Sequence, residues 1–194
     1  MKASCRSRVL VVGIGLAVGL SSVARSENAL LNPGFEQPDG RGGAVPDDWM
    51  VYSAKRADIG IAPTAGRDGT QCIKISCAGI PRHFQGIIQV VNVEEDGRYT
   101  LSAWVMNDRS NPLQGSAYGQ LAIEWKDDEG REVARTWGEA LKPTMSRMRW
   151  ELAQINRAQA PKGAVAAVIG IHLHEGDRGG KGSFLVDEVS FVKE

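Results

Sequence analysis

Apolar and polar residues alternate with a period of two along most of the chain, the pattern of half-buried β-strands. Runs of this kind fall at Trp49–Ser53, Gln71–Ser76, Gly86–Val93, Arg98–Met106, Tyr118–Lys126, Arg147–Ile155, Ala164–His174 and Ser183–Val192. Turn-forming clusters separate them: Asn32-Pro33-Gly34, Pro38-Asp39-Gly40, Gly66-Arg67-Asp68-Gly69, Glu94-Glu95-Asp96-Gly97, Asp127-Asp128-Glu129-Gly130 and the glycine-rich segment 176–182. Helical character is confined to a short stretch within Gly138–Ser146, where Pro143 removes an N–H that a helix interior needs. There is no internal repeat and no linker-like tract. Short strands with Gly- and Asp-rich turns predict one all-β domain, an antiparallel sandwich or barrel.

Parity within the strands separates two faces. In Arg98–Met106, Tyr99, Leu101, Ala103 and Val105 share one side, with Thr100, Ser102, Trp104 and Met106 on the other. In Ala164–His174, Val165, Ala167, Ile169, Ile171 and Leu173 form an apolar stripe opposite Ala166, Val168, Gly170, His172 and His174. In Tyr118–Lys126, Leu121, Ile123 and Trp125 oppose Gln120, Ala122, Glu124 and Lys126. A packed side backed by a polar side that still carries Trp and His is the pattern of a binding surface.

Residues 1–26 stand outside this alternation. Lys2, Arg6 and Arg8 precede an apolar run, VLVVGIGLAVGL, and then the small residues around Ser26. This is the order of a secretory signal peptide, and the run is too short to span a bilayer, which needs about 20 residues. Cleavage there predicts an exported domain of residues 27–194, with no membrane span. Loss of Lys2, Arg6, Arg8 and Arg25 turns an overall balance of 23 basic and 23 acidic residues net acidic. No basic block remains, which argues against nucleic acid as a partner. Cys72 and Cys77 sit at the two ends of one predicted strand, about 16 Å apart. A disulfide needs Cα atoms within about 7 Å, so both are expected as free thiols.

Several of these segments, taken in order, are familiar. Leu31-Asn32-Pro33-Gly34-Phe35-Glu36 comes first, then Asp68-Gly69 before an apolar strand, Gln89–Val93, and Gly97–Val105 containing Tyr99-Thr100 and Trp104. Ala160–Ala164 and a closing Phe184-Leu185-Val186-Asp187-Glu188-Val189 complete the set. Together, from Asn28 to Val192, they resemble carbohydrate-binding modules of the family 4/9/22 (CenC-like) type, galactose-binding-domain-like jelly rolls. The resemblance implies a jelly-roll β-sandwich of two antiparallel sheets that binds polysaccharide or glycan chains on a concave face without catalysis. The alternative is a structural or protein-interaction module with the same fold and no sugar affinity. Partners implied are a glycan, and a separately encoded enzyme or a cell-surface polymer.

Asp187 shares parity with Leu185, Val189 and Phe191, so a carboxylate is set among apolar residues and needs a partner or a cation. The resemblance implies a structural Ca2+ held by the side chains of Glu36, Asp68 and Asp187 and the carbonyls of Gly34 and Gln71. Oxygen-only donors suit such a hard cation. The alternative is an Asp187 hydrogen-bonded to backbone or Arg, with no ion.

Sugars are recognised by aromatic faces against C–H faces, flanked by hydrogen-bonding groups. Trp104 and His172 match cleft positions of the family; His174, Gln89, Tyr118, His83 and Phe84 are candidates for the same surface. Arg82 stands about where some sugar-binding members carry an exposed Trp, leaving Phe84 as a replacement platform. The alternative for Trp104 is packing under a covering loop. His172-x-His174 is a zinc pattern that lacks a clear third ligand. Enzyme signatures are weaker: G-x-S-x-G is absent from residues 27–194, and Gly179-Gly180-Lys181-Gly182-Ser183 lacks phosphate-loop spacing. Glu124 has polar-face parity but no evident second acid for glycoside hydrolysis. A non-enzymatic protein is expected.

Overall fold

The computed structural model describes residues 27–37, 40, 45–53 and 57–194. The expected signal peptide, residues 1–26, lies outside them. Ten strands build two five-stranded antiparallel sheets. The first contains β1 (Met50–Ser53), β4 (Phe84–Asn92), β9 (Ala166–His174), β6 (Tyr118–Lys126) and β7 (Glu132–Trp137), in that order across the sheet. The second runs β2 (Ile59–Ala62), β3 (Cys72–Ser76), β10 (Ser183–Lys193), β5 (Arg98–Asn107), β8 (Glu151–Gln159). This is the predicted all-β sandwich of jelly-roll type. No described helix is long and apolar enough to cross a membrane.

The inner faces are those that strand parity marked as apolar. Ile87 of β4, Leu121 and Ile123 of β6 and Ile169 and Ile171 of β9 are buried in one core with Ile73 and Ile75 of β3, Leu101 and Val105 of β5, and Phe184 and Val186 of β10. Each such side chain is worth about 1.5–3 kcal/mol on burial, so the core fixes the register of every central strand.

Three expectations change. Gly138–Ser146 forms no helix; its backbone bonds along β6 instead, through Gly138 N–H to Leu121 O and a reciprocal pair between Leu141 and Gly119. The strand expected at Arg147–Ile155 begins at Glu151 and continues to Gln159. Asp187 does not face the core: a register shift in β10 between Asp187 and Ser190 switches its parity. Phe184 and Val186 face inward before the shift, and Val189 and Phe191 after it, while Asp187 lies opposite Trp104 on the outer side. Glu188 takes a positive φ of 45° at this bulge. The N-terminal segment runs beside β10, with Ala29 N–H bonded to Phe191 O and the Asn28 side chain to Val189 O. Cys72 and Cys77 are both free.

Candidate functional site

On the outer face of the first sheet, register puts Tyr52, Gly86, His172 and Gln120 in one row across the strands. The next row holds Ile88, Gly170, Ala122 and Trp137. Gly86 and Gly170 leave space in the middle, and the His172 imidazole lies down in it. A Cβ on Gly170 would overlap His172 Nε2, and one on Gly86 would come within 3.0 Å of Nδ1. Two aromatic rings rise at steep angles from this floor. Tyr52 stands at 81° to the imidazole with centroids 6.1 Å apart, and Trp137 at 64° and 5.9 Å. Both walls are open to solvent, at 45% and 43% exposure, while His172 is 8% exposed. The result is a groove of about 530 Å³, also lined by Phe84, Ile88, Val168 and His174.

One end of the groove is aromatic. His174 stacks on Tyr118 at 4.7 Å and 10°, with Phe84 on its other side at 6.3 Å and 28°. The other end is ionic. Arg135 Nη2 donates to Glu124 at 2.5 Å and to Glu132 at 2.6 Å, and Lys126 pairs with Glu124. The Arg135 guanidinium also lies 5.0 Å from the Trp137 ring centroid, so the ion network holds one aromatic wall in place. Burial, with smaller contributions from His174 and Arg135, pushes His172 down to about 4, and burial alone lowers His174. Both imidazoles are therefore neutral at pH 7. Both acids at this end thus accept from the same guanidinium.

The sequence candidates divide. His172, His174, Phe84 and Tyr118 come together on this face. Trp104 does not: β5 belongs to the second sheet, where the Arg67 guanidinium covers the Trp104 ring at 4.0 Å. Strand parity sorts the two sides of a strand but not the sheet it joins. Gln89 points inward and is bonded at both ends of its amide to the Leu31 backbone, at 2.7 and 3.0 Å. His83 is buried beside Ser53, with Nε2 3.3 Å from the hydroxyl. Arg82 is exposed and pairs with Asp177 at 2.9 Å. Tyr52, Arg135 and Trp137 were not among the candidates. The signal for the last two lay beyond the Asp127–Gly130 turn, where Val133, Arg135 and Trp137 alternate as the return strand of a hairpin.

Asp187, 2% exposed, accepts backbone N–H bonds from Arg67 at 2.7 Å and Glu188 at 2.8 Å. Burial raises its pKa despite these bonds, and the Glu188 and Glu36 charges add to the rise. The same negative field, after burial, helps push the Cys72 thiol up to about 12. Gln71 Nε2 bonds to Phe35 O, tying the 66–71 loop to the segment carrying Gly34 and Glu36. Among the described residues no three acidic, His or Cys side chains converge as a metal cluster. Asp68 therefore does not complete a three-carboxylate set, and His172 and His174 lack a third partner for zinc.

The carbohydrate-binding module TmCBM61, in complex with β-1,4-galactotriose, superposes with a TM-score of 0.54 at 18% identity, over 87% of this chain and all of that one. The CBM22-1 xylan-binding domain from Paenibacillus barcinonensis Xyn10C gives 0.55 at 13% identity, over 82% and 90%. This chain has the fold of carbohydrate-binding modules. The enzymatically active domain of tailspike protein 4 from bacteriophage CBA120 gives 0.62 at 12% identity, covering 86% of this chain but only 21% of the tailspike chain. At these identities the likeness is one of fold, which enzymes also use. No protein-family model and no curated protein matches the sequence.

Proposed function

We propose that the protein binds polysaccharide or glycan chains, without catalysis, in the groove across the outer face of the first sheet. The observation that carries this reading is the pair of exposed rings, Tyr52 and Trp137, standing over the His172 floor. Pyranose rings present flat C–H faces to such walls, and their hydroxyls go to the polar groups at the groove's ionic end. Non-catalytic action is favoured by Glu124 and Glu132 sharing Arg135 on one side of the groove, where they do not form the pair of opposed carboxylates that glycoside hydrolysis commonly uses. Affinity electrophoresis of the purified protein through gels containing soluble glucans, xylans and galactans tests the proposal. Retardation by at least one polymer is expected; unchanged mobility on the whole panel favours the structural or protein-interaction module instead.

A structural Ca2+ near the chain's first and last segments is part of the same proposal. Asp187 and Glu36 would supply charge, and the carbonyls of Gly34 and Gln71 the remaining protein oxygens, a donor set that fits a hard cation. The setting of Asp187 fits as well: it is buried near the Glu36 and Glu188 charges, and a cation there would offset both the burial and the repulsion. The ion would tie the 66–71 loop to β10. EDTA is expected to lower the melting temperature and added Ca2+ to restore it. An unchanged melting temperature in both steps removes calcium from the account. Export through residues 1–26, and delivery to a cell-surface polymer or a separately encoded enzyme, complete the proposal.

A further inference from the structure

The four edge strands of the sandwich are not alike. β7 carries Glu132 and Arg135, and β8 carries Glu151 and Arg157, charges that discourage pairing with another strand. β2 is uncharged but buried or half-buried along its length. β1, Met50-Val51-Tyr52-Ser53, has neither protection. Met50, Val51 and Tyr52 are 50%, 42% and 45% exposed, so both faces of the strand are open. Beside them Leu31 and Val90 are 61% and 52% exposed, around a shallow cavity that also reaches Trp49. Among the described residues no strand pairs with the outer edge of β1.

We propose that this edge is the interface of a homodimer, in which β1 of two copies pairs antiparallel about a two-fold axis. A strand paired with its own copy is self-complementary, as an isologous contact requires. The sequence around β1 fits this symmetry. Asp47-Asp48 precede the strand and Lys55-Arg56 follow it, so two copies of the sequence aligned antiparallel set acids against bases. Leaving Tyr52 to the groove, the exposed parts of Leu31, Met50, Val51 and Val90 offer roughly 350 Å² per copy, about the apolar share of a 600 Å² half-interface. Pairing joins the two β1-containing sheets into one, with both Tyr52-walled grooves on the same side. The proposal stands whether or not the groove binds sugar.

Sedimentation velocity of the purified protein between about 1 and 100 µM tests it. The wild type is expected to pass from monomer to dimer across that range. Val51→Lys, a charge at a solvent-exposed position, is expected to weaken association at least tenfold with an unchanged circular-dichroism spectrum. The Asp47→Lys/Asp48→Lys pair, which replaces attraction by repulsion, is expected to weaken it too. Concentration-dependent protection of the Met50–Tyr52 amides against hydrogen exchange gives a readout free of mutation. A wild type that stays monomeric, or a dimer that both variants leave intact, overturns the proposal.

Discussion

His172 offers a direct energetic test of the groove's construction. Its imidazole is 8% exposed, laid over Gly170 between Tyr52 and Trp137, and titrates at about 4 instead of 6.5. The unfolded chain therefore takes up a proton near pH 6.5, while the folded chain does not until about pH 4. Within that window the unfolded state holds more protons, so stability falls as the pH falls. A shift of this size corresponds to about 3 kcal/mol, present above pH 6.5 and lost by pH 4. His172→Gln removes the titration. Carboxylates and His174 titrate in both proteins, so the difference between wild type and variant isolates this one group. Urea unfolding at intervals from pH 7 to pH 4.5 is the assay, with the wild type expected to lose about 2–3 kcal/mol more than the variant. Parallel pH profiles would mean that His172 is solvated, and the groove floor as described would be wrong.

Two glycine substitutions separate stability from binding. Gly170→Ala meets the His172 ring, a side chain that can swing aside where backbone cannot, and is expected to destabilise less than Gly86→Ala while displacing the floor and weakening glycan retention. Gly86→Ala meets the Ile171 carbonyl, which cannot rotate away, and is expected to destabilise by about 1–3 kcal/mol in denaturant titration. Burial pushes Cys72 and Cys77 both up to about 12, so thiol reagents at pH 8 should modify the native protein ~100-fold more slowly than the unfolded one. Rapid native labelling of both cysteines would contradict that burial.

Period-two alternation and turn clusters were enough to find eight of the ten strands: the central ones bury a continuous face whose pattern survives in the sequence, and the exposed edge strand β1 still shows as a short apolar run, Met50-Val51-Tyr52, beside a turn cluster. β2, Ile59–Ala62, escaped because four residues are too few to show a period. β7 escaped because Glu132–Trp137 is an edge strand with little burial. Pairing between sheets was invisible for a different reason. Trp104 and His172 have the same local appearance, a ring opposite an apolar stripe, yet one strand joins β10 and the other joins β4. Only long-range register decides that, and it turned one expected groove residue into the platform for Arg67 on the far side. Asp187 was misplaced by a bulge, since a single extra residue inverts every later side chain. The site's two walls come from the sheet's edge strands, β1 and β7, where hydrophobic patterning carries least information.

The most direct measurement is affinity electrophoresis of the wild type beside Trp137→Ala and Trp104→Ala, on whichever polysaccharide retards the wild type. Trp137→Ala is predicted to weaken retention roughly 30-fold, as expected for removal of an aromatic anchor worth ~2 kcal/mol, with Trp104→Ala migrating like the wild type. Retention lost in Trp104→Ala and kept in Trp137→Ala would place the sugar on the opposite sheet and contradict the account.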